Sequence, residues 1–270
     1  MAIRLVAMDL DDTLLRDNWT ISPRVLKAIQ KAQAQGVKMT IATGRMPIST
    51  RPYAEQLGLD VPVITYHGAM IQQVLSGEIL FRRVIPSSLA AEIVQDVAER
   101  GLYAQVYLKD RVVTTQVNEW SREYARISSV HIEEADLSIL LSEEPEGVEK
   151  ILLMAEETEL DQLAPLLGQR YGEKVHITKS KPCFLEMTDC TVNKGVALAA
   201  LAKQFGIAQE EVMAIGDSFN DLEMIKYAGV GVAMGNARQE IKEQADIVTT
   251  TNEEDGVAEA IERYVLDNKL

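Results

Sequence analysis

The strongest constraint in this 270-residue sequence is a strand-length apolar run, Ile3–Leu10, that ends abruptly in the cluster Asp9-Leu10-Asp11-Asp12-Thr13. A nearly continuous apolar run suits a central parallel strand covered by helices on both sides. Carboxylates at the carboxyl end of such a strand lie where open α/β sheets bind their ligands. The next elements keep to that pattern. Ser22 and Pro23 mark a helix start, Val25, Leu26, Ile29 and Ala32 recur at helical spacing, and Gly36 supplies the stop. Val37–Ala42 reads as a second buried strand, about Thr50–Leu57 as a helix closed by Gly58, and Val61–Tyr66 as a third strand. The alternation returns late in the chain, with helix Lys194–Phe205, strand Val212–Ile215, helix Asp221–Ala228 and strand Val230–Ala233. The two regions are expected to form halves of one α/β unit, a doubly wound, mostly parallel, Rossmann-like sheet.

Between them the character changes. Pro86-Ser87-Ser88 caps a helix ending at Gly101, and Leu102–Lys109 with Val112–Thr115 reads as a hairpin turning at Asp110-Arg111. Ile151–Ala155 opens a further strand–helix–strand stretch, and the acidic run Ser142–Glu149 reads as a solvated loop. At roughly 150 residues per domain, the length allows nearly two domains. The expected division is a discontinuous core, residues 1–83 and 187–270, interrupted by an inserted α+β layer, residues 84–186.

Composition excludes several functions. Forty-one acidic residues against 27 basic ones leave a net charge of −14, which opposes attachment to nucleic acid or anionic membranes. No stretch approaches the ~20 apolar residues of a membrane span, and the N-terminus shows no cleavable signal pattern. Cys183 and Cys190 lack metal-type spacing and read as reduced thiols. A cytoplasmic protein without nucleic-acid or membrane partners is expected, with its oligomeric state open.

Four polar clusters sit at expected strand or helix ends. In the first, strand alternation would point Asp9 and Asp11 to the same side, and two neighbouring carboxylates in a cleft call for a cation or a shared proton. Capping of a helix by the same residues is the competing reading. Thr43-Gly44-Arg45 offers a hydroxyl and an unobstructed backbone N–H to a phosphate oxygen, or forms an ordinary strand-to-helix turn. Asn193-Lys194-Gly195 places an ammonium at a helix start, where it opposes the helix dipole; that suggests a site role, with a simply exposed lysine as the alternative. Gly216-Asp217-Ser218-Phe219-Asn220-Asp221 supplies hard oxygen ligands suited to Mg²⁺, without the spacing of a calcium-binding EF-hand.

Taken in order, these four motifs resemble the haloacid dehalogenase-like phosphohydrolase superfamily, in particular its Cof-type sugar-phosphatase branch with a large C2-type cap. The resemblance covers essentially the whole chain, because the 84–186 insert falls where that branch carries its cap. Two positions depart from the pattern. Asp12 stands where many members have glycine, and His67, before Gly68-Ala69, stands where asparagine is common; a turn-closing role for His67 is the expectation, with substrate contact open.

The resemblance implies an Mg²⁺-dependent phosphatase of small phosphate monoesters such as sugar phosphates. Asp9 would be the nucleophile, forming an aspartyl-phosphate, and Asp11 the general acid/base, its pKa raised by Asp9. Mg²⁺ would be held by Asp9, the Asp11 backbone carbonyl and Asp217, with Asp221 acting through water and Asn220 as a further candidate. Thr43, Lys194, Asn220 and the backbone N–H groups of Leu10, Asp11 and Gly44 would bind the phosphate. The insert would close over the cleft, hinging at Arg83–Pro86 and Glu186–Thr191, with Tyr107, Lys109, Arg111, Lys179 and Lys181 as candidate cleft-lining residues. A sugar phosphomutase shares this core and cap and remains an alternative. A non-catalytic phosphometabolite-binding protein and a phosphoaccepting module are further ones.

Overall fold

The computed structural model describes residues 2–267. Strand β1 (Leu5–Met8) leads through a tight turn over Leu10–Leu14 to helix α1 (Pro23–Ala34), which Ser22 caps by accepting from the Val25 N–H. Next come β2 (Lys38–Ile41), α2 (Pro47–Gln56), and three short strands, β3 (Val63–Thr65), β4 (Met70–Gln72) and β5 (Ile79–Arg82). The insert supplies α3 (Ser87–Glu99), β6 (Tyr103–Leu108), β7 (Arg111–Thr114), α4 (Glu119–Ser128), β8 (Ile132–Glu134), α5 (Leu137–Glu143), β9 (Lys150–Met154), α6 (Glu157–Tyr171), β10 (Val175–Lys181) and β11 (Phe184–Asp189). The chain then returns through α7 (Lys194–Gln204), β12 (Val212–Gly216), α8 (Leu222–Tyr227), β13 (Val230–Ala233), α9 (Gln239–Lys242), β14 (Ile247–Val248) and α10 (Gly256–Ala260).

The first sheet is five-stranded and parallel, in the order β14-β13-β12-β1-β2. Alternation within β1 divides its burial between two layers. Val6 and Met8 pack with α1 residues Val25, Ala28 and Ile29 and with Val257 and Ile261, while Leu5 and Ala7 pack against Ala197, Leu198 and Leu201 of α7. This is the two-sided cover that the unbroken apolar run requires.

The third predicted strand differs from expectation. Only Val63–Thr65 is extended, and it joins an antiparallel sheet, β3-β4-β5, which meets the parallel sheet at an isolated parallel bridge between Ala42 and Ile64. Helix α2 begins at Pro47, earlier than predicted, since proline is well suited to a first helical turn.

The insert forms its own six-stranded sheet, β10-β11-β9-β6-β7-β8, antiparallel except for the β7–β8 pair. One face packs on α3, α5 and α6 through Ile93, Val97, Leu137, Leu141, Leu160 and Leu163. The other face carries Tyr103, Tyr107, Leu152 and Phe184, and these cluster with Tyr124 of α4 and with Met46, Tyr66 and Met70 from the first sheet's side. The insert thus rests on the core by an apolar, aromatic face.

Three details correct the sequence reading. The hairpin turns at Lys109-Asp110, both with positive φ, and Arg111 already pairs with Leu108; a two-residue turn of this hand matches strand twist. The run Ser142–Glu149 is not a solvated loop throughout. It begins inside α5, Val148 bonds to Ile85 in both directions (2.8 and 3.0 Å), and Glu149 is 1% exposed and paired with Arg82 at 2.7 Å. The predicted hinge Glu186–Thr191 overlaps β11, which continues to Asp189, so the strand occupies its first four residues.

The Ile85–Val148 bridge depends on Gly147, which has φ +102° and would place a Cβ 2.3 Å from the Ile85 carbonyl oxygen. Gly147→Ala should destabilise the protein by more than about 1 kcal/mol, from the left-handed backbone and the clash together. Urea unfolding would check this, and an unchanged midpoint would show that the crossing tolerates a side chain.

Candidate active site

The parallel register brings the carboxyl ends of β1, β2 and β12 level: Met8 pairs with both Ile41 and Ile215. The residues that follow, Asp9, Thr43 and Asp217, therefore converge on one cleft of about 520 Å³, open mouth included. After Asp9 the chain leaves strand geometry, with Asp12 at φ 58°. Asp9 and Asp11 line the same cleft but are held by different cations.

Lys194 is fully buried, and its ammonium donates to Asp9 Oδ1 at 2.5 Å and to Asp221 Oδ1 at 2.6 Å. These two ion pairs explain a lysine in the first turn of α7, since direct pairing outweighs the dipole's opposition. Asp221 is also fully buried, and its second oxygen accepts the backbone N–H groups of Asp217 and Ser218, both at 3.0 Å. Asp217 accepts from the Thr13 hydroxyl at 2.8 Å.

Asp9, Asp217 and Asp221 each offer an oxygen within 4.8 Å of the others. Burial, then Asp221, push the Asp9 carboxyl up to about 8 against the pull of Lys194. Burial, Asp221 and Asp9 likewise raise Asp217 well above the ordinary carboxylate range. This excess of negative charge, with the buried Asn220 Oδ1 that has no hydrogen-bond partner among the described residues and whose side chain lines the same cleft, fits a divalent cation with a preference for oxygen ligands.

The Thr43-Gly44-Arg45 turn is tied down on every carbonyl. Thr43 O accepts from the His67 N–H at 3.0 Å, Gly44 O from Lys150 at 2.7 Å, and Arg45 O from the Tyr66 N–H at 3.0 Å. Thr43 Oγ1 accepts from the Arg45 N–H at 3.1 Å, which leaves its own hydrogen for a ligand. Gly44 is required by packing, because a Cβ there would lie 2.1 Å from the His67 ring.

Arg45 overturns one expectation. Its guanidinium grips Asp11 through two parallel bonds, of 2.9 and 2.7 Å, and stacks near Trp19 and Tyr53. Although burial pushes the Asp11 carboxyl up, these bonds and the Arg45 charge bring it below its ordinary value. The predicted rise caused by Asp9 is absent because a bidentate cation is nearer in effect than a neighbouring acid.

His67 occupies a left-handed position in a turn, as expected, but its side chain does more than close it. The ring is buried, with Nε2 2.8 Å from Glu186 Oε2 and Nδ1 3.3 Å from the Asn220 amide nitrogen. Of the predicted cleft-lining residues in the insert, only Lys181 reaches the cleft, 3.4 Å from Asp12. Tyr107 is buried behind Lys150, and Lys109, Arg111 and Lys179 pair with Glu144, Glu133 and Asp161 away from it.

Besides Lys181, the insert lines the cleft with Tyr124, Ile127, Ser128, Lys150, Ser180 and Phe184. Sequence reasoning missed Lys150 and Glu186, although charged residues inside otherwise apolar strands were a usable signal. It also gave Arg45 no role of its own. Nothing local distinguished Tyr124 or Ser128 from ordinary helix positions.

Residues 6–261 match the model of the haloacid dehalogenase-like hydrolase family. Over 268 residues the chain is 35% identical to a Bacillus subtilis 5-amino-6-(5-phospho-D-ribitylamino)uracil phosphatase, covering 98% of this chain and 96% of that one. A crystal structure of a haloacid dehalogenase-like hydrolase from Bacteroides thetaiotaomicron is similar with a TM-score of 0.85, 33% identity and coverage of 97% and 99%. A subclass IIB sugar phosphatase of the superfamily superposes with a TM-score of 0.85 at 25% identity, covering 97% of this chain and 98% of that one. With its parallel core, second sheet and level strand ends, the chain belongs to the haloacid dehalogenase-like hydrolase family and is a phosphoric monoester hydrolase.

Proposed function

We propose that the protein is an Mg²⁺-dependent phosphatase of small phosphorylated metabolites, working through an aspartyl-phosphate on Asp9. The observation that carries this reading is the buried Lys194 ammonium shared by Asp9 and Asp221, with Asp9 lining one cleft together with Asp217 and Thr43. Mg²⁺ held by Asp9, Asp217 and the Asp11 carbonyl, with Asp221 and Asn220 near it, would offset the repulsion between carboxylate and phosphate dianion.

Asp9 attacks phosphorus and the bond to the leaving oxygen breaks, while Lys194 offsets charge on the nucleophile. Thr43 O–H and the N–H groups of Leu10, Asp11 and Gly44 receive the phosphoryl oxygens, where transition-state charge develops. Asp11 delivers a proton to the departing alcohol, then takes one from the water that opens the aspartyl-phosphate, releasing orthophosphate and restoring Asp9. Because Arg45 favours its ionised form, Asp11 is poised as the base of the second step. Acting as the acid of the first requires the Arg45 contact to loosen when substrate enters. Residues 84–186 serve as a cap that excludes water and presents Tyr124, Ser128, Ser180, Lys181 and Phe184 to the leaving group. The free thiols Cys183 and Cys190 accord with a cytoplasmic location.

A panel of phosphorylated sugars, polyols, nucleotides and cofactors, assayed with Mg²⁺ and with chelator, tests the reading; no phosphate release from any member would end it. Asp9→Asn should lower turnover by at least about a thousandfold with the fold intact. Asp11→Asn should slow both half-reactions by roughly a hundredfold or more, separable by single-turnover kinetics.

Metal-free stability supplies a pH test. The folded protein holds the Asp9 proton up to about 8, whereas the unfolded chain releases it near the ordinary 3.8. Between those values the folded state binds the extra proton, so this group's contribution to stability falls as pH rises. Mg²⁺ needs the ionised carboxylates. The gain in Tm from Mg²⁺ over EDTA should therefore grow between about pH 5.5 and 8, and a gain that stays flat or shrinks would contradict the assignment.

A further inference from the structure

Lys150 belongs to the insert, on β9, yet its ammonium ends in the core's phosphate turn. It is 1% exposed and donates to Gly44 O at 2.7 Å and to Glu186 Oε1 at 2.6 Å, with the Tyr107 ring centroid 4.3 Å away. Among the described residues, Gly44 is the member of the Thr43-Gly44-Arg45 turn whose carbonyl is held by the insert. The other two carbonyls are held by the neighbouring backbone at Tyr66 and His67.

The bond is placed to act on Thr43. The Gly44 carbonyl and the Arg45 N–H share one planar peptide unit. Fixing the carbonyl fixes the direction of that N–H, which donates to Thr43 Oγ1 at 3.1 Å. A charged donor on the carbonyl also polarises the peptide and strengthens the bond at its far end. The relay runs from the Lys150 ammonium through one peptide to the hydroxyl that faces the cleft. Glu186 fixes the donor and also touches His67, whose ring packs against Gly44 from the other side. A buried ion pair contributes little net stability compared with apolar side chains of the same volume, so fold stability alone gives a poor account of Lys150 and Glu186 on two adjacent strands.

We propose that Lys150 is a positioning residue through which the insert, when seated on the core, orients the Thr43 hydroxyl for phosphate. The phosphate pocket is then complete only in the closed arrangement, and an enzyme open to bulk water holds phosphate weakly. This rests on the phosphatase reading of the cleft.

The test is orthophosphate binding in the presence of Mg²⁺, measured as competitive inhibition and by direct calorimetry. Orthophosphate has no leaving group, so a lysine that touched only the leaving group or held only the insert's fold would not alter its affinity. Lys150→Met should weaken orthophosphate binding about tenfold. It should also lower kcat/KM by a similar factor for every ester hydrolysed, whatever its leaving group. On a Thr43→Ala background the same substitution should add little, because it acts through that hydroxyl.

If Lys150→Met does not fold, Lys150→Met/Glu186→Gln removes the unpaired buried acid and is read in the same way. A folded variant that binds orthophosphate within about twofold of the parent, or effects that add fully to those of Thr43→Ala, would overturn the proposal. A parent that releases phosphate alongside an unaffected variant overturns this inference alone. A parent that neither releases nor binds phosphate overturns the phosphatase reading with it.

Discussion

The buried ammonium of Lys194 is the interaction on which the rest of the site depends. A charge with no exposed surface is tolerated only beside opposite charge, and here Asp9 supplies it from the end of β1 and Asp221 from the turn that leads from β12 into α8. The pairing draws together the turn after β1, the loop after β12 and the start of α7, elements separated by more than half the chain. It still leaves an excess of acid, since Asp217 stands within the same cluster. The site is a charge imbalance built into a rigid frame, and a divalent cation is the economical way to resolve it.

The second dependence is the apolar face by which the insert sits on the core. Tyr66 from the core and Tyr107, Tyr124 and Phe184 from the insert form a run of ring contacts about 6 Å apart. Beside this dry cluster lies the polar chain of Lys150, Glu186, His67 and Asn220, which crosses the boundary at two points, Lys150 to Gly44 and Glu186 to His67. The two layers do different things. Ring packing is tolerant of small shifts, whereas hydrogen bonds are directional, so the polar chain is the layer that fixes the position of the Thr43-Gly44-Arg45 turn.

The architecture was largely legible in the chain. An unbroken apolar run requires cover on both faces, and acids at its end have few structural uses, so the parallel core and its four polar corners followed from local pattern. Antiparallel pairing of Val63–Thr65 was not legible, because a three-residue strand reads alike in either sheet. Glu149 looked solvated within an acidic run, and only its approach to Arg82 makes it an interior residue. The low Asp11 pKa escaped for a related reason: nearness to Asp9 is visible in the sequence, but the grip of Arg45, 34 positions later, is not.

What the sequence determined by itself is the set of chemical groups and the order in which strand ends present them, because hydrophobic periodicity and motif spacing are local properties. Tertiary structure alone decided which charges meet. Two carboxylates from one short motif, Asp9 and Asp11, are assigned to different cations and acquire opposite pKa shifts. A lysine from the insert reaches across to a core carbonyl, while the more conspicuous cations Lys109, Arg111 and Lys179 turn to surface partners. Coulombic and hydrogen-bond energies fall off over a few ångströms, so they depend on distances that only the folded chain specifies.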